Sequence, residues 1–299
     1  MTAAIREKAL AYGESTPLSG VLTLPAGPLH PERPLVVFLN AGLLHHVGPN
    51  RLHVTLARAL AAAGHASCRF DLAGVGDSPS RGDGLPIPDG VVADITATLD
   101  HLEASLGVRR FVLFGLCAGA DNALATATDP RVVGCVLLDP SIHRTRGWYR
   151  HYYAARARRL ESWKSVLTGR HPAWKRLTDR AARALSPAPV ACDAPTADAP
   201  PEYFRSGPIT PEAIGARWRA ALERHVRFFV VFTLDWSVFY SYRDQLHDCY
   251  PDLSFAGTTL HHRPTTRHTF TTEADRDWLI TSVIQWLADL DAAPAQEAP

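Results

Sequence analysis

Short apolar runs alternate along the chain with segments whose apolar residues recur at helical spacing. Strands are predicted at seven runs, namely 21–24, 35–39, 66–70, 110–114, 132–138, 228–234 and 253–260. Helices are predicted around Leu52, Leu56 and Leu60 and over 91–106, 119–128, 217–224 and 278–290. This alternation predicts an α/β fold with a mainly parallel sheet that helices cover on both faces.

One long stretch, residues 139–227, contains no strand pattern. It starts with helical, aromatic and Arg-rich sequence (144–185) and continues as a Pro- and Ala-rich loop (186–211). We interpret it as a helical cap inserted into the α/β unit rather than as a separately folding domain. The predicted division is a core formed by 1–140 and 223–290, a helical lid insertion at 141–222, and a disordered tail at 291–299.

The amino-acid composition does not alter the predicted fold. The 299 residues are 46% hydrophobic and 20% charged, with a net charge of +1, which is ordinary for a globular protein. No apolar stretch is long enough to span a bilayer and no secretory leader is visible, so we expect a cytoplasmic protein with no membrane or nucleic-acid partner. The five cysteines form no CxxC pair, and we expect no disulfide framework, no metal and no cofactor.

The strongest chemical signal is the sequence FVLFGLCAG at 111–119. A strand ends there in Gly-x-Cys-x-Gly and a helix follows, which is the strand–turn–helix arrangement that presents a nucleophile, with Cys117 where serine usually stands. Such a turn is strained and admits only small neighbours, as Gly115, Ala118 and Gly119 are. We predict that Cys117 is a nucleophile; the alternative is a small buried core thiol.

A thiol nucleophile needs a base, and the base needs an acid to orient it. His268 lies in the loop between the last predicted strand and the final helix, and Asp235 ends the strand 228–234. We therefore predict a triad of Cys117, His268 and Asp235. Asp139, which follows the preceding strand, remains the alternative acid.

An acyl-transfer site also needs two backbone amides directed at the developing negative charge. The amide of Ala118 is one candidate, because it directly follows the nucleophile. The second is expected from the loop after the strand 35–39, where either Gly42 or Leu43 supplies it. His45 and His46 in the same loop are interpreted as surface residues.

Four segments together resemble a known superfamily: 35–43 (LVVFLNAGL), 47–51 (VGPNR), 69–78 (RFDLAGVGDS) and 115–120 (GLCAGA). They look like the α/β-hydrolase superfamily. More narrowly, they are similar to its cysteine-bearing branch, whose members accompany exosortase and polysaccharide systems or biosynthetic gene clusters. The resemblance implies Cys117 as nucleophile, Asp235 as acid and His268 as base. The chain departs from these relatives at Arg267, where they usually carry an acidic residue.

A cysteine nucleophile forms a thioester with the acyl group that it attacks, so exchange with a substrate thioester is nearly isoenergetic. We predict acyl transfer through a Cys117 thioester, by an acyltransferase or a thioesterase that acts on an acyl group bound to coenzyme A or to a carrier protein. One alternative is a cysteine-dependent hydrolase of a small ester or lactone. The other is a non-catalytic ligand-binding protein on the same fold.

The predicted lid insertion is strongly basic. Between residues 144 and 185 there are twelve Arg and Lys residues against two acidic ones. A positive surface at the site would attract an anionic acyl donor, either a coenzyme A thioester or an acidic acyl-carrier protein. The candidate docking residues are Arg150, Arg156, Arg158 and Arg159. The alternative is a solvated helix face with no partner.

Overall fold

The computed structural model describes residues 5–157 and 204–292. Its strands are β1 (Arg6–Tyr12), β2 (Leu18–Leu24), β3 (Leu35–Phe38), β4 (Ser67–Phe70), β5 (Phe111–Leu116), β6 (Val132–Leu138), β7 (Arg227–Thr233) and β8 (Thr258–Arg263). Its α-helices are α1 (Leu52–Ala62), α2 (Ile87–Leu106), α3 (Ala118–Thr126), α4 (Arg146–Ala157), α5 (Pro211–Glu223), α6 (Gln245–Cys249) and α7 (Glu273–Ala292).

The eight described strands form one sheet in the order β1-β2-β4-β3-β5-β6-β7-β8. The pairs β1–β2 and β2–β4 are antiparallel, and every pair from β4 to β8 is parallel. This confirms the predicted α/β fold with a mainly parallel sheet.

Alternating side chains of the central strands divide the core into two layers. Val37 and Leu113 join the cluster that packs under α2, α3 and α5, whereas Val36 and Val112 join the cluster under α1 and α7. All four are fully buried. Burial on both faces explains why these strands are continuously apolar and could be found in the sequence.

Several element boundaries differ from the predicted ones. Strand β1 escaped prediction because it is an edge strand whose charged and polar side chains face solvent. Strand β8 begins at Thr258, because residues 253–257 form a turn rather than extended chain. Helix α5 begins at Pro211, where the Thr210 hydroxyl caps the Ala213 amide at 3.3 Å.

The predicted outer divisions are described only in part. Helix α7 continues to Ala292, two residues into the predicted tail, and the rest of that tail lies outside the described residues. Of the predicted insertion, the structure describes residues 141–157, which include α4, and residues 204–222. Among the described helices, none is long and apolar enough to cross a membrane.

The parallel strands bring chemically interesting residues to one edge of the sheet. Asp71 directly follows β4, Cys117 follows β5, Asp139 follows β6 and Asp235 comes two residues after β7. The loop after β8 carries His268. Because the carboxyl ends of parallel strands meet at one edge, residues far apart in sequence converge there.

Candidate active site

Cys117 occupies the sharp turn between β5 and α3. Its φ of 57° and ψ of −117° are strained for a residue with a side chain. The turn is possible because the neighbouring backbone comes very close: a Cβ on Gly115 would lie 2.1 Å from the Gly119 carbonyl, and a Cβ on Gly119 would lie 2.7 Å from the Asn40 carbonyl oxygen. The two glycines of the motif are therefore sterically required.

His268 faces Cys117 from the loop after β8. The imidazole Nδ1 lies 2.6 Å from Oδ2 of Asp139, and the ring stacks on Trp236 with centroids 5.2 Å apart. Asp139 is fully buried and also accepts hydrogen bonds from the Thr233 amide at 2.7 Å and the Thr233 hydroxyl at 2.6 Å. With Nδ1 donating to this fixed carboxylate, Nε2 is left for the hydrogen bond with Cys117.

The expected partner of the imidazole is corrected from Asp235 to Asp139. Asp235 accepts a hydrogen bond from the main-chain amide of His268 at 2.9 Å and pairs with the Arg267 guanidinium at 2.7 Å. Its carboxylate thus holds the backbone of the histidine loop rather than the ring. Arg267, the departure from the superfamily pattern, is the exposed partner of that carboxylate.

The thiol and the imidazole shift each other's titration. Burial raises the pKa of the Cys117 thiol, but the hydrogen bond with His268 and the charge of Arg205 outweigh it and hold that pKa below its ordinary value. Burial lowers the pKa of His268, but hydrogen bonds with Asp139 and Cys117 raise it to about 9. Both shifts favour a thiolate–imidazolium pair.

The two predicted amide donors lie on adjacent pieces of backbone. The Ala118 amide begins α3 directly after Cys117, and its proximity to the sulfur helps to lower the pKa of the thiol. Residues 41–44 form a turn closed by the Leu44 amide on the Ala41 carbonyl at 3.2 Å, with Gly42 and Leu43 at its centre. Among the described residues, neither the Gly42 amide nor the Leu43 amide donates to a backbone carbonyl.

A buried polar network shapes this turn. The Asp71 carboxylate, fully buried, accepts four hydrogen bonds: from Asn40 Nδ2, the His46 amide and His46 Nδ1, each at 2.7 Å, and from the Asp77 amide at 3.0 Å. The expectation that His46 is a surface residue is therefore wrong. His45, His46, Asp71 and Asp77 place ligand-type atoms within 4.8 Å of one another. The occupied lone pairs of Asp71 indicate a structural network rather than a metal site.

Sequence reasoning missed three further polar residues at the nucleophile. Arg205, 3% exposed, lies with Nη2 3.7 Å from the Cys117 sulfur and forms an ion pair with Asp121. Asp121 in turn accepts hydrogen bonds from the Ser141 amide at 2.8 Å and its hydroxyl at 2.7 Å. No sequence motif marks Arg205, because the guanidinium reaches the site only through the path of the folded chain.

The predicted docking arginines are described only in part. Arg150 is exposed on α4, and the backbone of Arg156 belongs to the same helix. Arg158 and Arg159 lie outside the described residues.

Comparison with known proteins places the fold of the chain in a family. None of the curated proteins compared matches the chain. Solved structures that match include an α/β serine hydrolase homologue from Coxiella burnetii (TM-score 0.56, 16% identity, covering 94% of this chain and 97% of that one). Est1E from Butyrivibrio proteoclasticus matches with a TM-score of 0.58 and 13% identity, covering 95% of this chain and 99% of that one. At such identities the likeness concerns the fold. The family model of the α/β-hydrolase fold matches residues 34–279, and the chain therefore belongs to the α/β-hydrolase family.

Proposed function

We propose that this protein transfers acyl groups through a thioester on Cys117, as an acyltransferase or thioesterase. In this proposal Cys117 is the nucleophile, His268 is the acid and base, and Asp139 orients the imidazole. The observation that carries it is the chain of contacts from the strained Cys117 through His268 to the buried Asp139 carboxylate. An ionisable thiol beside an oriented imidazole is the machinery that covalent acyl transfer needs.

In the first half-reaction, the Cys117 thiolate attacks the carbonyl carbon of the acyl donor. The new sulfur–carbon bond forms a tetrahedral intermediate, and its collapse breaks the bond between that carbon and the donor's sulfur. The departing thiolate takes the proton from the His268 imidazolium. The products are an S-acyl Cys117, neutral His268 and a free thiol.

In the second half-reaction, neutral His268 removes a proton from the acceptor, which is water, an alcohol, an amine or another thiol. The acceptor attacks the thioester carbon, and the bond to Cys117 breaks as the intermediate collapses. Cys117 leaves as a thiolate beside the regenerated imidazolium. In both steps the amide of Ala118 and that of Gly42 or Leu43 would stabilise the oxyanion.

The proposed substrates are acyl groups on anionic carriers, namely coenzyme A or an acidic acyl-carrier protein. The support is the basic character of residues 144–185, to which the exposed Arg150 of α4 belongs. A positive surface raises the encounter rate with a negatively charged carrier. We also propose that the protein acts in the cytoplasm, whose reducing conditions keep Cys117 in the reactive thiol form.

The test is a rapid-mixing experiment with an acyl-coenzyme A, in which the released coenzyme A is quantified by chromatography. An initial burst of coenzyme A, equal to the enzyme concentration, is the expected signature of an acyl-enzyme intermediate. Cys117→Ala should abolish the burst. Steady release without a burst or a trapped adduct, unchanged in Cys117→Ala, would contradict the proposal.

A second candidate is hydrolysis of small esters. It is favoured by the structural neighbours, of which the protein from Coxiella burnetii is described as a serine hydrolase homologue and one from Xanthomonas campestris as a serine hydrolase. Rapid turnover of p-nitrophenyl esters without any added acceptor, together with slow reaction of thioesters, would select this function. The reverse ranking would select acyl transfer.

A further inference from the structure

Arg205 belongs to the short segment that precedes α5. Asn122 of α3 holds this segment on both sides of Arg205: its Nδ2 donates to the Phe204 carbonyl at 2.8 Å, and its Oδ1 accepts from the Ser206 amide at 2.8 Å. The backbone of Arg205 is thus fixed to the helix whose first turn presents Cys117. Its side chain is 97% buried, since only 3% of it is exposed.

The guanidinium bridges a carboxylate and the nucleophile. Nη1 pairs with Asp121 and lies 3.3 Å from the Ser141 hydroxyl, while Nη2 lies 3.7 Å from the Cys117 sulfur. Nε is buried and has no partner among the described residues. Because two hydrogen bonds from Ser141 hold Asp121, the ion pair fixes the plane of the guanidinium.

A guanidinium fixed in this position interacts differently with the two protonation states of the Cys117 sulfur. A thiolate is a strong acceptor for a charge-assisted hydrogen bond, whereas a neutral thiol accepts only weakly. Asp121 compensates the charge of Arg205, so the buried cation persists while the nucleophile changes charge during turnover. If the sulfur stayed neutral, the buried Nη2 of Arg205 would lack a strong hydrogen-bond acceptor, which costs free energy.

We propose that Arg205 is a catalytic residue that holds Cys117 as a thiolate, both in the resting enzyme and when the thiolate leaves the acyl group. This rests on the proposed function for its role in turnover, but the claim about the resting thiolate stands apart from it. The same contact gives a physical reason for cysteine at position 117, because a serine hydroxyl does not ionise under these conditions. The proposal adds a fourth side chain to Cys117, His268 and Asp139, and this side chain is paired with Asp121 of α3.

The test measures the alkylation rate of Cys117 by iodoacetamide as a function of pH, followed by peptide mass mapping so that other cysteines do not contribute. Arg205→Gln should move the midpoint of the profile to higher pH by about one unit, which is roughly a ten-fold slower reaction below the midpoint. The plateau rate at high pH should stay within about two-fold, because the reacting species is then the same thiolate. Arg205→Lys should give an intermediate shift.

Arg217→Gln is the matched control. Arg217 Nη2 donates to the Ser206 carbonyl at 3.0 Å, so this variant loosens the same segment without removing a cation from the sulfur. Its midpoint should stay that of the wild type. If Arg205→Gln does not fold, two measurements replace it. One is the alkylation midpoint of Arg205→Lys, and the other is the thiolate absorbance of the wild type compared with that of Cys117→Ala.

An unchanged midpoint in the Arg205 variants would overturn the inference, and so would an equal shift in Arg217→Gln. A wild-type midpoint no lower than that of an ordinary thiol would also overturn it. The wild type could take no acyl group from a thioester and still show a midpoint that depends on Arg205. That result would refute the proposed function but not this inference.

Discussion

Asp139→Asn is the substitution that examines the orientation of the imidazole most sharply. Asp139 is fully buried and accepts hydrogen bonds from Thr233 and from His268 Nδ1. The Thr233 amide must face an oxygen, so the amide nitrogen of asparagine would face the imidazole. It would then donate to Nδ1 and force the ring proton onto Nε2, where it points at Cys117. The ring could no longer take a proton from the acceptor.

The expected loss is large because the wrong tautomer removes the base. The corresponding substitution in serine proteases lowers kcat by about 10⁴-fold, and we expect a decrease of roughly 10³- to 10⁴-fold here, or about 4–5.5 kcal/mol of transition-state stabilisation. The assay is the single-turnover rate of acyl transfer from an acyl-coenzyme A. Circular dichroism checks that the variant remains folded.

Asp235→Asn is the matched control for this prediction. Asp235 contacts the His268 backbone and the exposed Arg267, and an exposed ion pair contributes at most about 1 kcal/mol. We expect a loss of less than about ten-fold. A larger loss in Asp235→Asn than in Asp139→Asn would refute the reasoning and return the role of acid to Asp235.

Three further predictions follow from titration, packing and charge. The rate of acyl-enzyme formation should decrease at pH values below the lowered pKa of Cys117, because the thiolate is lost. It should also decrease above about pH 9, because His268 loses the proton that the leaving thiol needs. A rate that does not change with pH would contradict the ion pair. Gly115→Ala should destabilise the fold by about 3 kcal/mol in urea unfolding, whereas Gly27→Ala, whose Cβ meets no atom within 4 Å, should change it little. Added salt should slow a carrier-bound donor but spare a small neutral thioester, because exposed charges are screened beyond about 10 Å at 0.1 M; equal slowing would discard the docking surface.

The fold was predictable because its central strands are buried on both faces. Runs such as 132–138 and 228–232 carry no polar side chain, and the glycines around Cys117 mark a turn that few other residues tolerate. The edge strand β1 was not predictable from apolar pattern, because most of its side chains face solvent. The start of β8 was misplaced because apolar residues at 253 and 255 belong to a turn.

The site was only partly predictable, because the order of residues does not determine which carboxylate reaches a ring. Asp139 and Asp235 both come between Cys117 and His268 in sequence and both follow a strand. The choice depends on the path of the histidine loop, which turns its backbone amide to Asp235 and its ring to Asp139. The role of Arg205 could not be predicted for a similar reason, since Arg205 and Cys117 are 88 positions apart in sequence.

The proposed mechanism requires that Cys117 carry the acyl group, and the mass of the protein measures this directly. The protein is incubated with an acyl-coenzyme A, quenched in acid and examined by intact-mass spectrometry and peptide mapping. The account predicts one added acyl group per chain on the peptide that contains Cys117, and none in Cys117→Ala. An unmodified wild-type protein under conditions where coenzyme A is released, or an adduct confined to another residue, would contradict it.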